Sequence, residues 1–319
     1  MTNAANKALL IGATGGIGGE VARALLVRGW EVRALHRDPA RAASTNPSLH
    51  WVEGDAMDPA SVDRAAEGMP VVVHAVNPPG YRNWAGLVLP MLDNTIAAAT
   101  KNGAQVLLPG TVYNYGPDAG EAVDERALQN PVTRKGRIRV EMEQRLQEAT
   151  ARGAKALVVR AGDFYGSRSG NSWLAQAMVP TVGPVKRIFN PGRAGVGHAW
   201  AYLPDLAETM ARLLERRDEL AAFDSFQFGG TWVEDNRAFA EAIRRAAGRP
   251  DAPIYRFPWR VVHALAPFNE TARKMREMVY LWQRPLRLFD CKLQRFLGEV
   301  PATSLGEALR ATLEGLGRV

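Results

Sequence analysis

Short apolar runs alternate along the chain with segments whose apolar positions recur every three or four residues. Ala8–Ile11 has the length of a buried strand, and Gly19–Arg28 follows it with Val21, Leu25 and Leu26 on one helical face. Trp30–His36 and Leu49–Glu53 read as a second and a third strand. Asp58-Pro59 then opens a helix ending near Gly68, with Asp as N-cap and Pro at the first helical position, where its missing N–H is not needed. Val71–Ala75 is a fourth strand, Trp84–Lys101 a helix, Gln105–Leu108 a fifth strand, Thr133–Ala151 an amphipathic helix and Leu157–Arg160 a sixth strand. Strands alternating with helices imply βαβ crossovers, and so an α/β fold with a doubly wound parallel sheet covered on both faces.

The periodicity loosens after residue 166, and Gly and Pro are frequent up to Gly197. Helices return at Pro204–Arg216, Glu234–Ala247, Trp259–Gln283 and Leu305–Leu316. The pattern predicts a first domain over 1–166 and a smaller, discontinuous substrate lobe over 167–319. The stretch 199–216 is expected to fold back onto the first domain.

At 319 residues with 46% hydrophobic and 23% charged positions, the chain can bury a full core, which excludes a disordered or fibrous protein. A lone cysteine, Cys291, forbids an intrachain disulfide and suits a reducing compartment. No apolar run has the length of a signal segment or approaches the ~20 residues of a membrane span, so the expectation is a cytoplasmic protein with no membrane partner. The net charge is +7, but the basic residues are interleaved with acids, as in Glu215-Arg216-Arg217-Asp218-Glu219. That reads as a solvated surface hospitable to anions, with no nucleic-acid partner. The five His and one Cys show no metal-ligand spacing, so no metal is expected.

The chemistry begins in Gly12-Ala13-Thr14-Gly15-Gly16-Ile17-Gly18, a G-x-x-G-x-x-G loop between the first strand and the first helix. Glycine permits the tight turn, the backbone's approach to a pyrophosphate and close helix–strand packing; free N–H groups at the helix start meet the phosphate charge. The fold is therefore expected to be of the Rossmann type. At the end of the second strand, an NAD site would carry an acid for the ribose 2′-hydroxyl. Here stand His36 and Arg37, which favour the 2′-phosphate of NADP(H); the other reading makes Arg37 a surface cation and Asp38 the ribose ligand of NAD(H). Asp55 follows the third strand, placed either to accept from an adenine amine or to cap a loop.

With these residues in hand, the chain resembles the extended short-chain dehydrogenase/reductases, the NAD-dependent epimerase/dehydratase family, over nearly its whole length. The glycine loop, the Asp55 segment and Val71-Val72-Val73-His74-Ala75 carry the likeness in the first half. Thr111-Val112-Tyr113-Asn114-Tyr115-Gly116 is similar to the family's VYG segment, and Arg160-Ala161-Gly162-Asp163-Phe164-Tyr165-Gly166 to its R-x-x-N-x-Y-G. His198-Ala199-Trp200-Ala201-Tyr202-Leu203-Pro204-Asp205-Leu206-Ala207 is similar to its f-x-Y-V-x-D-x-A. The resemblance implies cofactor contacts at Gly12, Thr14, Gly15, Gly16, Ile17, Gly18, His36, Arg37, Asp55, Ala56, Ala75, Asn77 and Arg137. It also implies a homodimer built through the helices near 84–101 and 133–151.

The family's reaction uses a Ser or Thr, a Tyr, and a Lys four residues after the Tyr. Thr111 matches the first, but Thr133 stands at the Tyr position and Arg137 at the Lys position. None of Tyr81, Tyr113, Tyr115, Tyr165, Tyr202, Tyr255 and Tyr280 has Lys four residues on. Threonine is too weak an acid to replace a phenol, and guanidinium does not shuttle protons. Tyr113 is the replacement to consider: in an extended segment it shares a face with Thr111, and Lys135 or Arg137 nearby would lower its pKa. The other reading has Tyr113 lining the pocket by stacking, and Tyr115 packs. The candidate catalytic set is Thr111, Tyr113 and Arg137; the substrate set is Tyr81, Trp84, Tyr113 and Asp163, with Arg82 beside them to meet an anion. His198 and His263 read as structural, and Glu270–Trp282 as either a lid or a helix with one buried face.

These features imply an NADP(H)-dependent oxidoreductase or epimerase for a small molecule, with a non-standard proton donor. The alternative is a non-catalytic NADP-binding sensor or scaffold.

Overall fold

The computed structural model describes residues 6–78 and 83–319. The chain runs β1 (Lys7–Ile11), α1 (Gly16–Val27), β2 (Glu31–His36), α2 (Pro39–Thr45), β3 (His50–Glu53), α3 (Pro59–Ala66), β4 (Val71–His74), α4 (Trp84–Asn102) and β5 (Gln105–Thr111). It continues through β6 (Ala122–Val123), α5 (Arg134–Thr150), β7 (Lys155–Ala161), β8 (Asp163–Tyr165), β9 (Ile188–Asn190), β10 (His198–Tyr202), α6 (Leu203–Glu215) and β11 (Phe223–Phe228). Last come β12 (Thr231–Val233), α7 (Asn236–Ala246), β13 (Ile254–Arg256), α8 (Trp259–Leu265), α9 (Glu270–Glu277), α10 (Tyr280–Gln283), β14 (Arg287–Leu288), α11 (Cys291–Leu297) and α12 (Leu305–Gly315).

Seven strands form one sheet in the order β11-β7-β5-β4-β1-β2-β3. The pairings β1–β2, β1–β4, β2–β3 and β4–β5 are parallel. Strand order reverses between β1 and β4, whose ends lie side by side with Ile11 opposite His74. That reversal opens a crevice beyond the strands' carboxyl ends, where this kind of sheet binds its ligands. β4 and β5 are buried along their whole length, which is why apolar runs, Val71–Val73 and Val106–Leu108, make up their centres.

Contacts divide the chain into two units. The first comprises residues 1–110, 138–160 and 207–226; the second, 111–137, 161–206 and 227–319. The first holds the sheet's core, with Leu9, Val72 and Val106 packed against Val62 of α3, Leu92 of α4 and Leu146 of α5. Arg160 of β7 and Glu143 of α5 form a buried ion pair at 2.7 Å, and Gly110 leaves room for it, because a Cβ there would lie 2.8 Å from the Arg160 side chain. Residues 111–137 and 161–166, placed by the sequence pattern in the first domain, pack within the second unit, which is no smaller than the first.

The second unit has its own aromatic core. Trp200 stacks on Phe239 at 4.1 Å, and Tyr165 meets both rings edge-on. A small sheet, β12-β10-β8, carries Trp200 opposite Asp163 in a parallel pair.

Several elements differ from the sequence expectation. The helix Leu203–Glu215 falls where the Pro204–Arg216 pattern puts it, but of the stretch 199–216 expected to fold back onto the first domain, residues 199–202 belong to strand β10 and only 207–216 pack in the first unit. The single helix expected over Trp259–Gln283 is three, because Pro267 cannot continue α8 and Asn269 caps α9 by accepting from the Ala272 N–H at 3.0 Å. Helix α2 carries the same signal as α3, an Asp N-cap followed by Pro: Asp38 accepts from the Arg41 N–H at 3.0 Å. Among the described residues, no helix is long and apolar enough to cross a membrane.

Candidate functional site

The glycine loop joins β1 to α1 in the first unit. Gly12 has φ +99°, a conformation L side chains rarely adopt, and a Cβ there would lie 2.6 Å from the Val76 nitrogen and 2.7 Å from the Ala75 carbonyl. A Cβ on Gly18 would meet the Gly12 carbonyl oxygen at 2.2 Å. Both glycines are therefore required by backbone approach, Gly12 to the end of β4 and α1 to the loop. Gly15 is the helix N-cap, and no side chain caps it, so the first-turn N–H groups stay available to an anion. Thr14 and Gly15 are exposed, Gly16 and Ile17 half-buried. This arrangement fits the pyrophosphate of a dinucleotide.

At the end of β2, the His36 ring lies edge-on to Trp51 at 5.8 Å, and its Nδ1 accepts from the Asp38 N–H at 3.0 Å. Arg37 is exposed and has no ion-pair partner among the described residues. Asp38, the alternative ribose ligand, caps α2 through one carboxylate oxygen, Oδ1. Asp55 is half-buried and accepts from the Met57 N–H at 2.9 Å, while the Ala56 carbonyl accepts from Asn94 at 2.9 Å.

Beyond β4, the exposed Asn77 accepts from the Trp84 indole N–H at 2.8 Å. Trp84 itself is 5% exposed, packed in the core with the Arg139 guanidinium 5.1 Å over its ring. That ring serves the core, so the expected stacking face toward a substrate is not offered. Tyr81 and Arg82 lie outside the described residues. His74, at the end of β4, is buried; its Nδ1–H donates to Thr95 Oγ1 at 2.8 Å, and the Thr95 hydroxyl donates to the Met91 carbonyl at 3.0 Å. Burial, aided by the positive Arg139, pushes the His74 pKa down to about 3, so the ring is neutral.

The second unit gathers the proton-transfer candidates. Thr111 ends β5 and caps the tight turn Val112–Asn114, its Oγ1 accepting from the Tyr113 N–H at 3.2 Å. The extended geometry expected to put Thr111 and Tyr113 on one face is thus replaced by a turn. The Tyr113 hydroxyl donates to Asp163 Oδ1 at 2.7 Å, and Asp163 Oδ2 lies 2.8 Å from His198 Nε2. The other imidazole nitrogen, Nδ1, donates to the Leu281 carbonyl at 3.2 Å. Both ring nitrogens face acceptors, the Asp163 carboxylate on one side and the Leu281 carbonyl on the other. The ring stacks flat on Trp282 at 4.0 Å, which fixes its plane. Asp163 and His198 are both buried and Tyr113 is half-buried, so the chain of hydrogen bonds runs inward from the phenol.

Thr133, at the family's Tyr position, caps α5: its Oγ1 accepts from the Gly136 N–H at 2.9 Å. A Cβ on Gly136 would lie 2.2 Å from the Tyr113 carbonyl, so this glycine lets the start of α5 rest on the Tyr113 turn. Arg137 is exposed and lines a surface depression with Pro117, Asp118, Asn130 and Val132. Tyr115 packs as expected, fully buried, with its hydroxyl accepting from Gln227. Tyr280 donates to the Tyr115 carbonyl at 2.9 Å; burial, with the nearby Asp163 charge, raises its pKa.

His198, read from the sequence as structural, was not joined there to Asp163. Its signal was available in the pairing of the two late motifs as adjacent strands, which sets β10 beside β8 and His198 within reach of Asp163. Among the described residues, no group of three or more His, Cys, Asp or Glu side chains could hold a metal ion.

Comparison with known proteins bears on the first unit and the fold. Over 144 residues the chain is 31% identical to the ceramide reductase of Caulobacter vibrioides, a match that takes in 40% of this chain and 45% of that protein. Crystal structures of the UDP-glucose 4-epimerase from Brucella ovis in complex with NAD (TM-score 0.73, 18% identity, 98% of this chain and 99% of that one) and of WbmH from Bordetella bronchiseptica in complex with NAD+ (0.72, 19%, 97% of each) share its fold. The model of the NAD(P)H-binding family matches residues 12–178, from the first glycine of the loop past β8, and the chain belongs to that family.

Proposed function

We infer that the protein is an NADP(H)-dependent oxidoreductase, or an epimerase of the same chemistry, that transfers hydride to or from a small-molecule substrate. The observation that carries this reading is the hydrogen-bonded chain Tyr113–Asp163–His198, a proton source and sink in a chain without the usual Tyr–Lys pair. When bound, reduced nicotinamide supplies the hydride. In the direction of reduction, Tyr113 gives its proton to the oxygen of the carbonyl being reduced, and the phenolate regains one from the Asp163–His198 pair. Thr111, whose Oγ1 accepts a backbone N–H, still has a proton to donate to the same oxygen. Gly12–Gly18 hold the pyrophosphate, and Arg37 with His36 holds the 2′-phosphate. A relative named as a ceramide reductase supports reduction as the direction to test first.

The test is titration with NADPH and NADH by nicotinamide fluorescence, repeated with Arg37→Ala. One charge-assisted contact of about 1.5–3 kcal/mol to the 2′-phosphate predicts NADPH weakened roughly ten- to hundredfold, with NADH unchanged. Carbonyl, imine and enone substrates are then screened against Tyr113→Phe. Binding of neither nucleotide refutes the reading; tight binding with no turnover across the panel leaves the sensor or scaffold reading in its place.

A further inference from the structure

Helix α8 has two apolar faces. Val262 and Ala266, four residues apart, are buried in a small core with Ala272 and Met275. Val261, Ala264, Leu265 and Phe268 follow the helical spacing of a second stripe that faces solvent: Val261 is 55% exposed, Leu265 50% and Phe268 89%, the most exposed large apolar side chain among the described residues. Phe268 sits in the turn between α8 and α9. A soluble helix needs one buried stripe; a second, ending on a bare phenylalanine at a turn, is a surface built to meet something apolar.

The charges around it say what. Residues 254–277 carry five basic side chains against two acidic ones, Glu270 and Glu277. Glu270 is taken up by Lys274 at 2.7 Å, while Arg256, Arg260, Arg273 and Arg276 are exposed and have no ion-pair partner among the described residues. An apolar wedge flanked by free guanidinium groups on long stems is complementary to a layer that is apolar inside and anionic outside.

We propose that the α8–α9 hairpin is a peripheral docking surface for an anionic lipid bilayer, with Phe268 and Leu265 entering the headgroup layer and the flanking arginines facing lipid phosphates. This contact needs no spanning helix, so the absence of one does not bear on it. It stands independently of the dinucleotide reading.

The experiment is co-sedimentation of the full chain with phosphatidylcholine vesicles, with and without phosphatidylglycerol, for the wild type, Leu265→Ser/Phe268→Ser and Arg260→Glu/Arg273→Glu. All four positions are exposed, and an unchanged Tm checks that the variants fold. The wild type is expected to bind only the anionic vesicles, each double variant at least roughly tenfold more weakly. Failure of the wild type to bind anionic vesicles overturns the proposal. So does equal binding by the serine variant, which would reduce the effect to unspecific charge. A wild-type oligomer in light scattering that the serine variant dissolves assigns the face to a second copy of the chain, and overturns it too.

Discussion

Gly18→Ala isolates the packing of the glycine loop from its chemistry. The new methyl would sit 2.2 Å from the Gly12 carbonyl oxygen, 2.8 Å from the Gly12 carbonyl carbon and 3.2 Å from the Ala75 Cβ. An ordinary carbon–oxygen contact is about 3.3 Å, so α1 must retreat by roughly 1 Å. Backbone gives way slowly: overpacking of this kind costs about 1–3 kcal/mol of stability. The same shift carries the first-turn N–H groups off the ~2.9 Å optimum for an acceptor oxygen. Losing one such charge-assisted bond, at about 1.5–3 kcal/mol, weakens a dinucleotide roughly ten- to hundredfold. Gly68→Ala is the control. Gly68 has φ +71° and nothing within 4 Å of its added Cβ, so it carries backbone strain and no clash. Urea unfolding and NADPH fluorescence titration on both variants give the answer. Destabilisation in both, with binding lost only in Gly18→Ala, is expected. NADPH binding by Gly18→Ala at wild-type affinity would refute the argument that this contact holds the loop in its binding shape.

Tyr113→Phe is expected to lower kcat by roughly 10²–10⁴ with the NADPH Kd unchanged, and the isosteric Asp163→Asn to lower kcat more than it changes KM. Steady-state kinetics beside cofactor titration checks both. Glu143→Ala leaves the buried Arg160 guanidinium without its carboxylate, for an expected loss of about 3–5 kcal/mol in urea unfolding; a loss below 1 kcal/mol, on the order of an exposed pair, would contradict its buried placement. His74 is held neutral with its pKa near 3, while the unfolded ring titrates near pH ~6.5. Below ~6.5 the unfolded chain takes up a proton that the native state refuses, so this residue's contribution to stability falls as pH drops toward 3. Between pH 7 and 5 that amounts to about 2 kcal/mol, which His74→Gln should remove from the measured pH dependence.

The first unit was legible because β1, β4, β5 and β7 are buried along almost their whole length and its loop is constrained backbone against backbone, so apolar runs and glycines carried the information directly. Helix α2 was missed because Asp38 was weighed as a ribose ligand, although Asp38-Pro39 is the same cap signal that announced α3. The second unit's strands, three residues long in β8 and five in β10, are too short for alternation to show, and no strand was read for the edge strand β11. Tyr113 and Asp163 were both named from the sequence, for separate reasons. Their hydrogen bond, and its extension from Asp163 to His198, joins distant segments that no local pattern brings together. Trp84 was judged by its ring, whereas its indole N–H on Asn77 and its 5% exposure make it core.

The chain passes between the two units five times, at residues 110–111, 137–138, 160–161, 206–207 and 226–227. Neither unit is therefore a genetic module, since no single cut frees a contiguous piece that contains all of either. For a chain emerging from the ribosome, β7 keeps an open edge until β11 arrives more than sixty residues later. An unpaired strand edge beside exposed apolar surface is a site for misassociation. The interval between those two strands is thus when the nascent protein most needs a chaperone, and truncation within it should yield aggregate and not a smaller folded domain.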